Sequence, residues 1–134
     1  MSAGNVEIAM GANAAFNRGD VDVALEFFAP DAELRDLANA PDQAAVIKGI
    51  HSIREAWALW SSAFDELRAD FEEVTEAGDA VIGAVHWEGR GKASGMSIDV
   101  RQFDLYEFQG GKIVRATLGL KSKAEALDAI GLRE

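Results

Sequence analysis

Between and after three helical segments the apolar residues of this chain change their spacing from steps of three and four to alternation, so helices and strands share one chain. Ile50, Ile53, Trp57, Trp60 and Phe64 recur at helical steps, with Ser52-x-x-Glu55 as a capping box near the start. Upstream, Val6, Ile8, Ala9, Ala12, Ala15 and Phe16 mark a first helix that Gly19 stops. Asp20 caps a second helix carrying Val21, Leu25 and Phe28 and ended by Pro30. Five segments alternate as strands: 32–37, 66–76, 79–90, 97–108 and 112–120. Glycine-bearing turns at 77–79, 89–95 and 109–111 join the last four into an antiparallel meander. A closing helix opens with Ser122-x-x-Glu125, buries Leu127 and Ile130 and stops at Gly131. Only the stretch from Leu37 to Lys48, with Pro41, reads as irregular, so the pattern predicts one α+β domain over residues 1–134.

Composition removes several kinds of function. The 13 Lys and Arg residues against 23 Asp and Glu leave a formal charge of −10. A chain this acidic, with no basic cluster, repels nucleic acid and anionic membrane surfaces. The absence of cysteine excludes disulfides, thiolate metal sites and Cys nucleophiles, and two histidines leave little for a metal. No cofactor motif appears: the Gly89-to-Gly95 segment joins two strands and opens no helix. The N-terminus has no basic start followed by an apolar stretch, and no apolar run approaches the ~20 residues that span a bilayer. The expectation is a soluble cytoplasmic protein.

Strand phase then singles out residues for chemistry. Asp36 shares a face with Ala32 and Leu34, and Asp104 shares one with Ile98, Val100, Gln102, Tyr106 and Phe108. Both aspartates are expected to point inward. Burial disfavours the charged form of a carboxyl and raises its pKa. A carboxylate that takes a proton, beside a carboxylic acid that donates a hydrogen bond, suits proton transfer next to a carbonyl. The competing reading is that each is a buried structural side chain bonded to backbone or to an indole N–H. In the strand 79–90 both phases are apolar: Val81, Val85 and Trp87 in one, Ile82 and Ala84 in the other. Helices were assigned to only one face of the sheet. The outer face, with Val85, Trp87, Phe103 and Leu105, is therefore expected to pack against a second copy as a homodimer.

Four segments carry a family resemblance: Asn17-Arg18-Gly19-Asp20, Leu25-x-x-Phe28-x-x-Asp31-Ala32, Gly49-x-x-x-Ile53-Arg54-Glu55-x-Trp57 and Phe108-Gln109-Gly110-Gly111-Lys112-Ile113-Val114. With the ending from Ala126 to Glu134, the chain resembles the nuclear-transport-factor-2-like superfamily, and within it the SnoaL-like group. The resemblance implies a cone in which a curved antiparallel sheet wraps around three N-terminal helices, with a short C-terminal helix, leaving a deep apolar pocket. It implies that Asp36 matches the general base of ketosteroid isomerases. It likewise implies that Asp104 matches their protonated oxyanion-hole aspartate and the acid/base aspartate of polyketide cyclases. The isomerases' first-helix tyrosine falls here at Ala12, and losing one oxyanion donor costs ~2.7–4 kcal/mol, which speaks against steroid isomerisation.

Within such a pocket Trp57, Trp60, Ile82, His86 and Tyr106 are the expected substrate-binding residues. His86 is placed there by its phase with Ile82 and Ala84, and Tyr106 as a possible hydroxyl donor on the face of Asp104. Asp99 and Arg101 lie in the phase opposite Asp104, which argues against epoxide hydrolysis by an Asp–Arg–Asp arrangement. The expected activity is metal-free, cofactor-free acid–base chemistry of isomerase or cyclase type on a small apolar carbonyl compound. The alternatives are a non-catalytic ligand-binding module or a dimeric association module.

Overall fold

The fold was obtained as a computed structural model, which describes residues 2–37, 46–92, 95 and 97–132. The helices are α1 (Ser2–Asn17), α2 (Val21–Glu26), α3 (Ile50–Ala63) and α4 (Lys123–Ala129). The strands are β1 (Phe28–Asp36), β2 (Val46–Lys48), β3 (Phe64–Ala77), β4 (Ala80–Gly91), β5 (Ser97–Gln109) and β6 (Lys112–Leu120). They form one six-stranded sheet in the order β2-β1-β6-β5-β4-β3. The β3 to β6 meander is antiparallel as its turns predict, whereas β1 lies parallel to β6 because the chain returns through α3 and the meander before reaching it.

Helices α1 and α3 lie in the concavity. Ala9, Ala12 and Ala15 are buried, and their small side chains let α1 approach the sheet closely, while α3 buries Ile53 and Trp57. Asn17 fixes the approach: its side chain bonds the Ala69 carbonyl at 2.7 Å and accepts from the Ala69 N–H at 2.8 Å, and Asn13 donates to the same carbonyl at 2.7 Å. These bonds satisfy the backbone of β3, an edge strand of the sheet.

Several boundaries differ from the sequence expectation. Phe28 and Pro30 belong to β1, not α2; the ladder with β6 shifts register between Phe28 and Glu33, which spares Pro30 a hydrogen bond it cannot donate. Phe64 is the first residue of β3. Helix α3 begins at Ile50 behind Gly49, whose φ of 86° makes the turn, so Ser52 lies past the cap and the Ser52–Glu55 box is not the N-cap. Asp20 and Ser122 do cap α2 and α4, accepting from Val23 and Glu125 N–H. Strand β2 lies in the stretch expected to be irregular, and residues 38–45, including Pro41, lie outside the described residues.

The second apolar phase of β4 has a cover within the chain. Ile82 and Leu105 are buried against Leu120, Ala126 and Leu127, because α4 packs on the outer face of the sheet. The inference that only a second subunit could cover that face is thereby corrected. The four residues assigned to the outer face also divide: Trp87 packs in the inner core and Val85, opposite Gln102, shares its side of the sheet, while Leu105 and Phe103 belong to the α4 side.

Candidate functional site: an aromatic cavity and two buried carboxyls

Register decides what faces the inside of the cone. In the β4–β5 ladder Val81 pairs with Tyr106, Gly83 with Asp104, Val85 with Gln102 and Trp87 with Val100; directly opposed residues share a face. Tyr106 and Trp87 pack in the inner core, so Asp104 and Gln102 lie on the inner side too. In β1 the buried residues Ala32, Leu34 and Asp36 alternate with Glu33 and Arg35. Asp36 pairs with Leu118 of β6, and Gly119 next to it bonds Asp104 of β5. The two carboxyls thus sit on one face with β6 between them, roughly 10 Å apart at the backbone from two strand spacings.

A cavity of about 250 Å³ opens there, lined by Asp36, Trp60, Phe64, Leu67, Trp87, Ile98, Val100, Gln102 and Leu118. Beyond Trp60, Trp87 and Leu118 a smaller space of about 40 Å³ continues toward Ala12, Asn13, Phe16, Trp57 and Tyr106. The aromatic rings meet edge to face: Trp60 and Trp87 at 6.4 Å and 89°, Phe16 with Trp57 at 5.4 Å and with Trp87 at 5.7 Å. Asp36 is 8 % exposed and forms part of the cavity wall.

Asp104 is fully buried, 0 % exposed, and does not line the cavity. Its Oδ2 accepts from the Trp87 indole N–H at 3.0 Å, and its Oδ1 accepts from Gln102 Nε2 at 2.8 Å and from the Gly119 N–H at 3.0 Å. The last bond exists because two residues of β6, Leu118 and Gly119, oppose one of β5 where the ladder shifts between Phe103 and Leu105. Gly119 adopts φ 91°, which glycine tolerates, and its N–H is turned to the carboxyl. Burial pushes the Asp104 pKa up to about 6; the three donors pull it down, less strongly, and the charge of Asp36 adds to the rise. Burial, with the neighbouring Asp104 charge, also raises the Tyr106 hydroxyl well above its ordinary value.

The expected site residues therefore separate. Asp36, Trp60, Trp57 and Tyr106 are in the cavity or its inner extension. Ile82 and His86 are not: both lie in the opposite phase, Ile82 under α4 and His86 bonded to Asp99 at 2.6 Å with Glu88 at 3.5 Å. Asp99 shares that outer side and Arg101 pairs with Glu72 at 3.1 Å. Phase alone left two ways to lay β4 against β5, and the expectation took the wrong one. Trp87, Gln102 and Phe64 were missed as wall residues. Among the described residues no group of His, Asp and Glu could hold a metal ion. No described helix is long and apolar enough to cross a membrane.

A sheet curled around helices with an apolar interior and inward carboxyls defines the nuclear-transport-factor-2-like class of cone folds. A family model for the SnoaL-like domain matches residues 11–116, and the chain belongs to that family. Among curated proteins none matches it in sequence. Of solved structures, a hypothetical protein with a ketosteroid isomerase-like fold from Catenulispora acidiphila, in complex with trimethylamine, is 21 % identical, with 94 % of this chain and 93 % of that one covered and a TM-score of 0.75. A SnoaL-like polyketide cyclase, so described, from Jannaschia is 22 % identical over 86 % and 83 % of the two chains, at 0.74. A protein of unknown function from Burkholderia pseudomallei is 18 % identical over 96 % and 98 %, at 0.76. At these identities the likeness is one of fold.

Proposed function

We propose that the chain binds a small, largely apolar molecule in the cone cavity and exchanges a proton with it through Asp36. The observation that carries this is a carboxyl set in the wall of an aromatic cavity otherwise lined, but for Gln102, by apolar side chains. Asp104 acts at one remove. With three donors on its oxygens it holds the Trp87 indole and the Gln102 amide in place, and is a positioning residue for the wall. The geometry weakens the expectation of a carbonyl substrate. An oxyanion needs N–H or O–H donors aimed at it, and the only N–H of Trp87 and one of the two on Gln102 are committed to Asp104. Ala12, where ketosteroid isomerases resembled by the sequence have a tyrosine, adds no donor to the inner wall.

The test is conversion, or deuterium incorporation from D2O, followed by proton NMR over a panel of compact hydrophobic ketones and amines. Activity lost in Asp36→Asn and retained in His86→Ala supports the proposal; activity unchanged in Asp36→Asn refutes it. Binding without turnover would favour the second reading, a non-catalytic ligand carrier. That reading draws on the same scarcity of uncommitted donors in the wall. Trimethylamine in the Catenulispora acidiphila protein shows that a fold neighbour's structure accommodates a small amine.

A further inference from the structure

Most of the polar atoms that a ligand would meet in this cavity are acceptors. Asp36 is the single ionisable side chain among the described residues lining it, and it is anionic when ionised. Oδ1 of Asp104 already accepts the Gly119 N–H, so it is an acceptor, and the Gln102 amide must turn its nitrogen toward it. That leaves the Gln102 carbonyl oxygen and one amide N–H for the ligand. The Trp87 N–H is likewise spent on Asp104, so this indole offers a ligand no donor. Trp60 stands at 89° to it with the ring centroids 6.4 Å apart, and the two indoles make a corner of electron-rich rings. A ring face attracts cations, and tryptophan does so best. The whole chain carries a formal charge of −10.

A carboxylate or phosphate in this cavity would face Asp36 with no cation among the described lining residues, and an oxyanion would find few donors. A hydrophobic cation meets a counter-charge, a carbonyl oxygen and two indoles. We infer that the ligand is a compact tertiary or quaternary amine whose positive nitrogen rests in the Trp60–Trp87 corner with Asp36 as its counter-charge. This rests on the cavity being the ligand site, as proposed above. It makes Asp104 part of the selectivity, since that carboxyl consumes the Trp87 N–H and one of the two Gln102 amide N–H groups.

Phenyltrimethylammonium and tert-butylbenzene have the same shape and differ in charge, and each carries nine equivalent methyl protons whose NMR signal reports binding. Titrated into the wild-type protein, the cation is expected to bind at least tenfold more tightly than the hydrocarbon. In Asp36→Asn that preference should shrink to less than threefold while hydrocarbon binding persists, which also shows that the variant is folded. In Trp60→Leu the cation should lose more than the hydrocarbon. Equal or tighter binding of tert-butylbenzene by the wild type overturns the inference and leaves the cavity proposal standing. Binding of neither probe at millimolar concentration overturns both.

Discussion

Replacing Asp104 by asparagine separates the pH-dependent part of its burial from the part due to its shape. The carboxyl is sealed from solvent and its pKa rises from 3.8 to about 6, chiefly through desolvation. A carboxyl whose folded pKa is raised holds its proton more tightly in the native state. The native chain therefore binds more protons than the unfolded one between those values, and stability falls as pH rises through the window. At about 1.4 kcal/mol per pKa unit the whole fall is about 3 kcal/mol, of which about half lies between pH 5 and 7.5, clear of the sequence pI near 4.6. Asparagine has no such titration. Its oxygen can still accept from Gln102 and Gly119, but its amide nitrogen then faces the Trp87 N–H, an unpaired contact costing about 1–3 kcal/mol at every pH. Urea unfolding of both proteins from pH 5 to 7.5 measures the difference. The expected result is a stability gap between wild type and Asp104→Asn that moves in favour of the variant by about 1.4 kcal/mol as pH rises. A gap that stays constant refutes the assignment of a raised pKa to this carboxyl.

Four further outcomes follow from the same geometry. Gly119→Ala places a Cβ at φ 91°, should cost about 1–2 kcal/mol in urea unfolding, and should raise the Asp104 pKa further as its donor is displaced, read by carboxyl-carbon NMR. Gly83→Ala puts a Cβ 2.8 and 2.9 Å from ring atoms of Phe71 and should destabilise by about 1–3 kcal/mol in the same assay. His86→Ala, on the outer face, should leave the affinity of any cavity ligand within twofold, whereas Trp60→Ala should weaken it by tenfold or more; calorimetric titration distinguishes them. Two copies that each carry −10 repel, so a homodimer formed through the outer sheet face around Phe103 should tighten as salt rises. Sedimentation at low and high ionic strength tests this, and a dimer that loosens as salt rises would contradict it.

Much of this architecture was legible along the chain. The steps of three and four in α3 placed Trp57 and Trp60 on the buried side, and alternation in β1 pointed Asp36 inward beside Leu34. What alternation cannot supply is the pairing of one strand with the next, since a slip by one residue exchanges the two faces. Closing the β4–β5 hairpin on the expected strand ends, Arg90 and Ser97, pairs Asp104 with Gly83 and puts Trp87, not His86, inside. The strand limits alone therefore carry the signal that phase lacks. The role of α4 was hidden for another reason. Leu127 and Ile130 showed that it had an apolar side, but only the tertiary fold shows that this side covers Ile82 and Leu105. Gly119 carried no mark at all in the sequence, because its value lies in a bulge that exists only once β5 and β6 are paired.

The most direct test of the account is a crystal structure of the protein with phenyltrimethylammonium bound. Density between Trp60 and Trp87, with the nitrogen facing Asp36 and Asp104 still enclosed by Trp87, Gln102 and Gly119, is the predicted result. Density on the outer face beside His86, or in the cone but turned away from Asp36, would contradict it.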